Sequence, residues 1–262
     1  MTSEYAEIVV GTDGSTGATH AVRVAAGLAK GFDVPLLIVC AWTESGGEAY
    51  LAASQTTEVA AAIARDVGVT EILRLEPGAV GTPADALIAV AEQYSDAVLV
   101  VGGCGLDNAM DRFGGNVAHQ LTHHSPVDLL VTHSDGVADL ATIAISTDGS
   151  ASATRAVYRG IAVAEAVGAR AKLLTVAKDE EAGGLVLAAI VDDLAHRGVT
   201  TDSEVIVAKG HIAKELVEAS ANYDLLVIGN RGMSGPSRLL GSVANRVTHQ
   251  SATSLLLVRT IL

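Results

Sequence analysis

Residues 98–117 read VLVVGGCGLDNAMDRFGGNV, and residues 225–243 read LLVIGNRGMSGPSRLLGSV. Each is a Val/Leu/Ile run, then G-x-x-G, then a longer stretch that ends on another glycine and a small polar residue. A short apolar run bounded by glycines reads as a buried strand. The glycines set a permissive backbone loop between that strand and a helix N-terminus, where phosphates bind readily. The phrase therefore points to alternating strands and helices, and to an anionic ligand.

The echo extends outward along the chain. Ile8-Val9-Val10-Gly11-Thr12-Asp13-Gly14-Ser15 matches Ile143-Ala144-Ile145-Ser146-Thr147-Asp148-Gly149-Ser150. Both are short strands that break at an Asp-Gly turn. A helix follows each, with Ala18, Ala21, Val22, Ala25, Leu28 and Ala29 as the apolar stripe of the first and Ala153, Ala156, Val157, Ile161 and Ala164 of the second. Second strands are expected at Pro35–Trp42 and Ala171–Ala177, and second helices over Glu48–Asp66 and Gly184–Arg197. Third strands fall at Glu71–Leu75 and Ser203–Val207. Thr82-Pro83 reads as an N-cap and first-turn proline opening a helix through Gln93; its counterpart, Gly210–Asn222, has no proline. Fourth helices follow the glycine phrases, and fifth strands lie at Val127–Thr132 and Ser254–Arg259.

Strands and helices that alternate in this way define an α/β fold of two tandem doubly wound five-stranded parallel-sheet domains. The domains are expected over residues 1–134 and 138–262, with the polar stretch His133–Asp139 as the join. Copy two is trimmed between its second strand and second helix. A single domain of 262 residues would fit the length but not the repeat.

Composition narrows the function. The net charge of −13 disfavours nucleic acid and anionic membrane surfaces, both of which call for Lys/Arg patches. Aromatic residues make up only 3%, so Ala, Val and Leu must fill the core. Cys40 and Cys104 are the only two cysteines, which suits a reducing compartment. The chain reaches its first strand within ten residues, without a basic or long apolar leader, and has no apolar run of bilayer length. A cytoplasmic location is expected.

In open α/β sheets, ligands collect beyond the carboxyl ends of the strands, where strand order reverses. There the Asp-Gly turn and the glycine phrase would face one another. Asp13 or Asp148 can accept a hydrogen bond from a base or sugar, while the start of the fourth helix favours an anion. A nucleotide has that layout. Glycine turns also serve only to turn the chain, so one copy alone would leave both readings open. No G-x-x-x-x-G-K-[ST] loop occurs, and Gly11–Gly17 has GxxGxxG spacing rather than that of a dinucleotide fingerprint.

The Asp-Gly-Ser turn, the G-x-x-G phrase and the trailing small polar residue together resemble the universal stress protein family, in its tandem form, over essentially the whole chain. ATP-binding members of that family carry G-2x-G-9x-G-[ST]. Copy one has Gly102, Gly105 and Gly115 at this spacing, with Asn116 in the Ser/Thr place. Copy two has Gly229, Gly232, Gly241 and Ser242, with the longer gap shortened by one residue. The resemblance implies an adenine nucleotide α-hydrolase-like fold and ATP, with or without Mg, as cofactor. It assigns Thr12 and Asp13, or Thr147 and Asp148, to the adenine end, and Val39 and Val176 as walls of the base. Ribose and phosphates would fall to the glycine phrases with Asn116 and Val117 in copy one, and Arg231, Ser242 and Val243 in copy two. Arg238 could assist in copy two and Arg112 in copy one. Copy two is the favoured site, since Cys104 stands where copy two has Arg231.

Other residues carry less. His119, His123, His124 and His249 sit on the fourth helices, and adjacent histidines diverge there rather than converging on a metal. Cys104 is a candidate redox thiol by its place near a helix start, or a small filler. Cys40 reads as core, Asp179, Glu180 and Glu181 as a solvated loop, and Trp42 as either a ligand platform or a rim residue. No catalytic set emerges, so any ATP hydrolysis should be slow. The leading expectation is a nucleotide-dependent regulator in a stress response that pairs through its fifth strands, either as a homodimer or domain to domain. The alternatives are a ligand-free interaction module and a true enzyme of the related nucleotide group.

Overall fold

A computed structural model describes residues 4–42, 47–78, 81–103, 117–133, 138–230 and 241–260. The chain divides into two compact units, Met1–Asp139 and Leu140–Leu262. Unit 1 runs β1 (Glu7–Gly11), α1 (Thr16–Phe32), β2 (Leu36–Val39), α2 (Gly47–Val67), β3 (Ile72–Leu75), α3 (Pro83–Ala91), β4 (Ala97–Gly102), α4 (Val117–His124) and β5 (Asp128–Thr132). Unit 2 repeats the order with β6 (Thr142–Ser146), α5 (Ala151–Val167), β7 (Arg170–Ala177), α6 (Glu180–His196), β8 (Asp202–Val207), α7 (Ile212–Ser220), β9 (Leu225–Gly229), α8 (Ser242–Gln250) and β10 (Ser254–Val258).

Within unit 1 the strands pair in the order β3-β2-β1-β4-β5, and within unit 2 in the order β8-β7-β6-β9-β10, every pair parallel. The central strands are apolar along their middles because both of their faces are covered. Ile8, Val9 and Val10 are fully buried, as are Leu225, Leu226 and Val227. The outer strands β3 and β8 hold only exposed and half-buried residues. In unit 1, α1 packs on α2 and α3 on α4. Right-handed crossovers on either side of the reversal between β1 and β4 put these two pairs on opposite faces. In unit 2, α5 and α6 lie against β6, β7 and β8, while α7 packs on α8.

The stripes expected on α1 and α5 are all buried. Leu28 is at 0% exposure, and full burial of a leucine is worth about 1.5–3 kcal/mol. Both helices start on a serine cap: Ser15 accepts from the Ala18 amide and Ser150 from the Ala153 amide, each at 3.2 Å. They end in left-handed residues, Asp33 and Gly168.

Several boundaries differ from the sequence reading. Helix α6 begins at Glu180, ahead of the expected Gly184, because the Asp179 carboxylate accepts from the Ala182 amide at 2.8 Å and caps it. The acidic triplet read as a solvated loop is thus a cap and a first turn, where negative charge meets the positive end of the helix dipole. Strand β2 stops at Val39, and Trp42 instead makes an isolated bridge to Gly78, its indole Nε1 donating to the Glu76 carbonyl at 2.9 Å. Helix α7 is shorter than Gly210–Asn222 at both ends. Among the described residues, no helix is long and apolar enough to cross a membrane.

Candidate functional site

The turn after the first strand is built identically in both units. Thr12 Oγ1 accepts from the Gly14 amide at 3.2 Å and Asp13 Oδ1 from the Ser15 amide at 2.9 Å. In unit 2, Thr147 Oγ1 accepts from Gly149 at 3.2 Å and Asp148 Oδ1 from Ser150 at 3.0 Å. Gly14 and Gly149 take φ values of +78° and +77°, a left-handed conformation that a side chain would strain. The threonines are buried and the aspartates exposed. Each Asp Oδ2 has no hydrogen-bond partner among the described residues, so the turn holds the carboxylate in place and leaves one oxygen for an outside donor.

Opposite this turn lies the end of the fourth strand. A Cβ on Gly102 would stand 2.7–3.0 Å from the backbone of Gly17 and Ala18, so the bare glycine lets β4 abut the start of α1. The Gly103 amide then donates to Thr132 O at 2.8 Å, and in unit 2 the Asn230 amide donates to Val258 O at 2.8 Å. Asn230 does more, and the sequence reading missed it. Its Oδ1 accepts from the Thr260 amide and hydroxyl at 3.1 and 2.9 Å, and its carbonyl accepts from the Gly241 amide at 2.9 Å. It therefore fastens both ends of the chain that joins β9 to α8. Gly241 is the N-cap of α8 and makes no side-chain cap bond, and the first turn from Ser242 to Ala244 lines the cavity of unit 2, where helix amides favour an anion.

A cavity opens between these walls in each unit, of about 580 Å³ in unit 1 and about 260 Å³ in unit 2. Thr12, Asp13, Val39, Gly102 and Val117 line the first, and Thr147, Asp148, Val176, Gly229, Gly241, Ser242 and Val243 the second. Gly105, Gly115 and Asn116 lie outside the described residues, as do Arg231, Gly232, Cys104, Arg112 and Arg238. The structure adds a wall the sequence did not announce. Pro83 and Leu87 of α3, and Ile212 and Leu216 of α7, face the two cavities. Their i, i+4 spacing was the available signal, but on a helix it reads equally as core. The ladders also align the second strands: Gly11 pairs with Val39 and Ser146 with Leu174. Val176 therefore stands in the place of Ala41, two residues beyond Val39 on the same face.

The remaining candidates fall away from the cavities. Cys40 is buried, and its thiol is pushed up by that burial first and then by the charges of Asp13 and Glu76, which makes it a poor nucleophile. Trp42 meets Tyr50 edge-on rather than lining the cavity. His123 and His124 occupy the last turn of α4, and His249 the last turn of α8. Among the described residues, no group of three or more His, Cys, Asp or Glu is placed to hold a metal ion.

Comparison with known proteins bears on the same two units. The sequence model of the universal stress protein family matches residues 4–133 and again 141–259. A universal stress protein of Mycobacterium tuberculosis is 32% identical over 145 residues, which is 50% of this chain and 98% of that protein. The crystal structure of a universal stress protein from Archaeoglobus fulgidus covers 100% of both chains with a TM-score of 0.75 at 18% identity, a likeness of fold. A crystal structure of a universal stress protein in complex with cAMP covers 50% of this chain and 98% of its own, at 29% identity and a TM-score of 0.44.

Proposed function

Because the chain belongs to the universal stress protein family, in two tandem copies, we propose that it binds an adenine nucleotide, ATP in the first place, at the carboxyl ends of β1 and β4 and of β6 and β9. Occupancy then serves as a regulatory signal in a stress response. The observation that carries this reading is the duplicated turn: Asp13 and Asp148 are each held by the same hydrogen bonds, with one carboxylate oxygen presented at a cavity.

The described residues fit such a ligand. Apolar side chains (Val39, Leu87 and Val101; Val176, Leu216 and Ile228) supply surfaces for a flat base. Asp13 or Asp148 accepts from the base amino group or a ribose hydroxyl. The ends of β4 and β9 and the starts of α4 and α8 supply backbone donors to the anionic end. Gly105, Gly115 and Asn116, and Arg231 and Gly232, complete that end in this reading. Mg, where present, is held chiefly by phosphates. In this reading the nucleotide acts by being bound, and any turnover is slow, since the described residues around the cavities include no arginine finger. Homodimerisation through the fifth strands and a cytoplasmic location belong to the same proposal.

Calorimetry with ATP, AMP and cAMP, joined to mass spectrometry of nucleotide released from gently purified protein, tests it. Binding of ATP or AMP that is lost in the Asp13→Ala/Asp148→Ala double variant is the expected result. No heat and no thermal shift with any nucleotide would overturn it in favour of a ligand-free interaction module. Steady turnover well above background would instead make the protein an enzyme.

A further inference from the structure

Resting on the nucleotide reading, we propose that the two sites are graded by size: unit 1 takes the whole nucleotide, while Val176, Ile212 and Ile228 narrow unit 2 so that the same nucleotide binds there at least about tenfold more weakly. The two scaffolds are alike. The turns carry the same hydrogen bonds, and Leu87 and Leu216, like Val117 and Val243, line both cavities in corresponding places. Yet the open cleft lined by the described residues is about 580 Å³ in unit 1 and about 260 Å³ in unit 2.

Aligning the units along their ladders locates a cause. Ala41 of unit 1 corresponds to Val176 of unit 2, Val101 to Ile228, and Pro83 to Ile212. All six line their cavities, and at each position unit 2 carries the larger side chain. Val176 and Ile228 rise from β7 and β9, the two strands that flank β6, and Ile228 is 4% exposed and fixed by packing. A packed wall of this kind does not swing aside at little cost, and pressing a ligand into it is penalised as overpacking is. Ile212 stands at the rim, 46% exposed, and narrows the mouth. Tandem duplication has thus left two copies of one site with different floors, and the floors favour unit 1, the reverse of the order that Arg231 suggested from the sequence.

Titration calorimetry of the full chain with ATP tests the grading. The expected isotherm has one tight event and a second at least about tenfold weaker. Asp13→Ala removes the tight event and Asp148→Ala the weak one. Val176→Ala with Ile228→Val strengthens the weak event, whereas Ala41→Val with Val101→Ile weakens the tight one. Opposite changes at the two sites cannot arise from general loss of stability. Two events within threefold of each other in the unmodified protein, or loss of the tight event in Asp148→Ala, would overturn the size grading while leaving nucleotide binding intact. Absence of heat with every nucleotide would overturn the nucleotide reading itself.

Discussion

At Gly14 the chain turns through a left-handed conformation, with the Thr56 side chain 3.4 Å from where a Cβ would stand. Alanine there should cost about 1–2 kcal/mol and tilt Asp13 away from the cavity, so Gly14→Ala is expected to lose both stability and nucleotide affinity. Denaturant unfolding beside calorimetry checks this; an unchanged affinity would separate the turn from the site. Two other carboxylates act as caps. The backbone amide of Thr82, and then its hydroxyl, hold Asp85 below the usual carboxylate range, and the Ala182 amide does the same for Asp179. Since folding lowers these values, both groups stabilise the native state above the ordinary carboxylate range. That contribution fades as pH falls through the depressed values. Carboxyl resonances followed by NMR during acidification should show both titrating lower than in the unfolded chain, and midpoints in the ordinary range would refute the caps. At this scale the sequence was legible where a residue acts on its neighbours. The Thr12–Ser15 and Thr147–Ser150 turns could be read because their bonds span two or three residues. Asn230 could not, because its partner Thr260 lies thirty residues along. Asp179 could be read two ways, because an acidic residue before a helix suits solvent and cap alike.

Elements show the same division. Parallel strands covered on both faces announce themselves as apolar runs, so Ile8–Val10 and Leu225–Ile228 were plain, and the β1–β4 neighbourhood followed from connection rules. The cavity-facing side of α3 was not. Leu87 and Leu216 are 5% and 3% exposed, and a leucine that walls a cavity has the same spacing as one that fills a core. The second strands needed their ladders before Val176 could be set against Ala41 rather than Val39. A sharper test of element packing lies at Gly102, where a Cβ would meet the backbone of Gly17 and Ala18, which cannot rotate away. Gly102→Ala should push β4 and α1 apart, destabilise unit 1 by about 1–3 kcal/mol and weaken binding there. By contrast Leu28→Ala, buried on α1 away from the cavity, should cost about 2–5 kcal/mol in stability through the void it leaves. A Gly102→Ala protein with undiminished stability and affinity would show that the close approach is not required.

Across the molecule, each unit buries its own core and frames its own cavity, so a ligand held by one unit stabilises that unit first. A nucleotide at a hundred times its dissociation constant adds about 2.7 kcal/mol to the state that binds it, provided the unfolded chain does not bind. For a unit of this size such a gain corresponds to a rise of about 10 °C in its unfolding transition. With unit 1 as the tight site, scanning calorimetry of the whole chain with ATP at that excess should move the transition that Asp13→Ala also affects. The Asp13→Ala protein should then show only a small residual shift from the narrower cavity of unit 2. Filling that cavity's floor less tightly, with Val176→Ala and Ile228→Val, should restore a second ligand-dependent shift. The shift belongs to whichever unit keeps its aspartate and has room for the base, so a full shift that survives Asp13→Ala but vanishes with Asp148→Ala would place the working site in unit 2. The exposed Asp on its fixed turn would then outweigh the size of the floor beneath it.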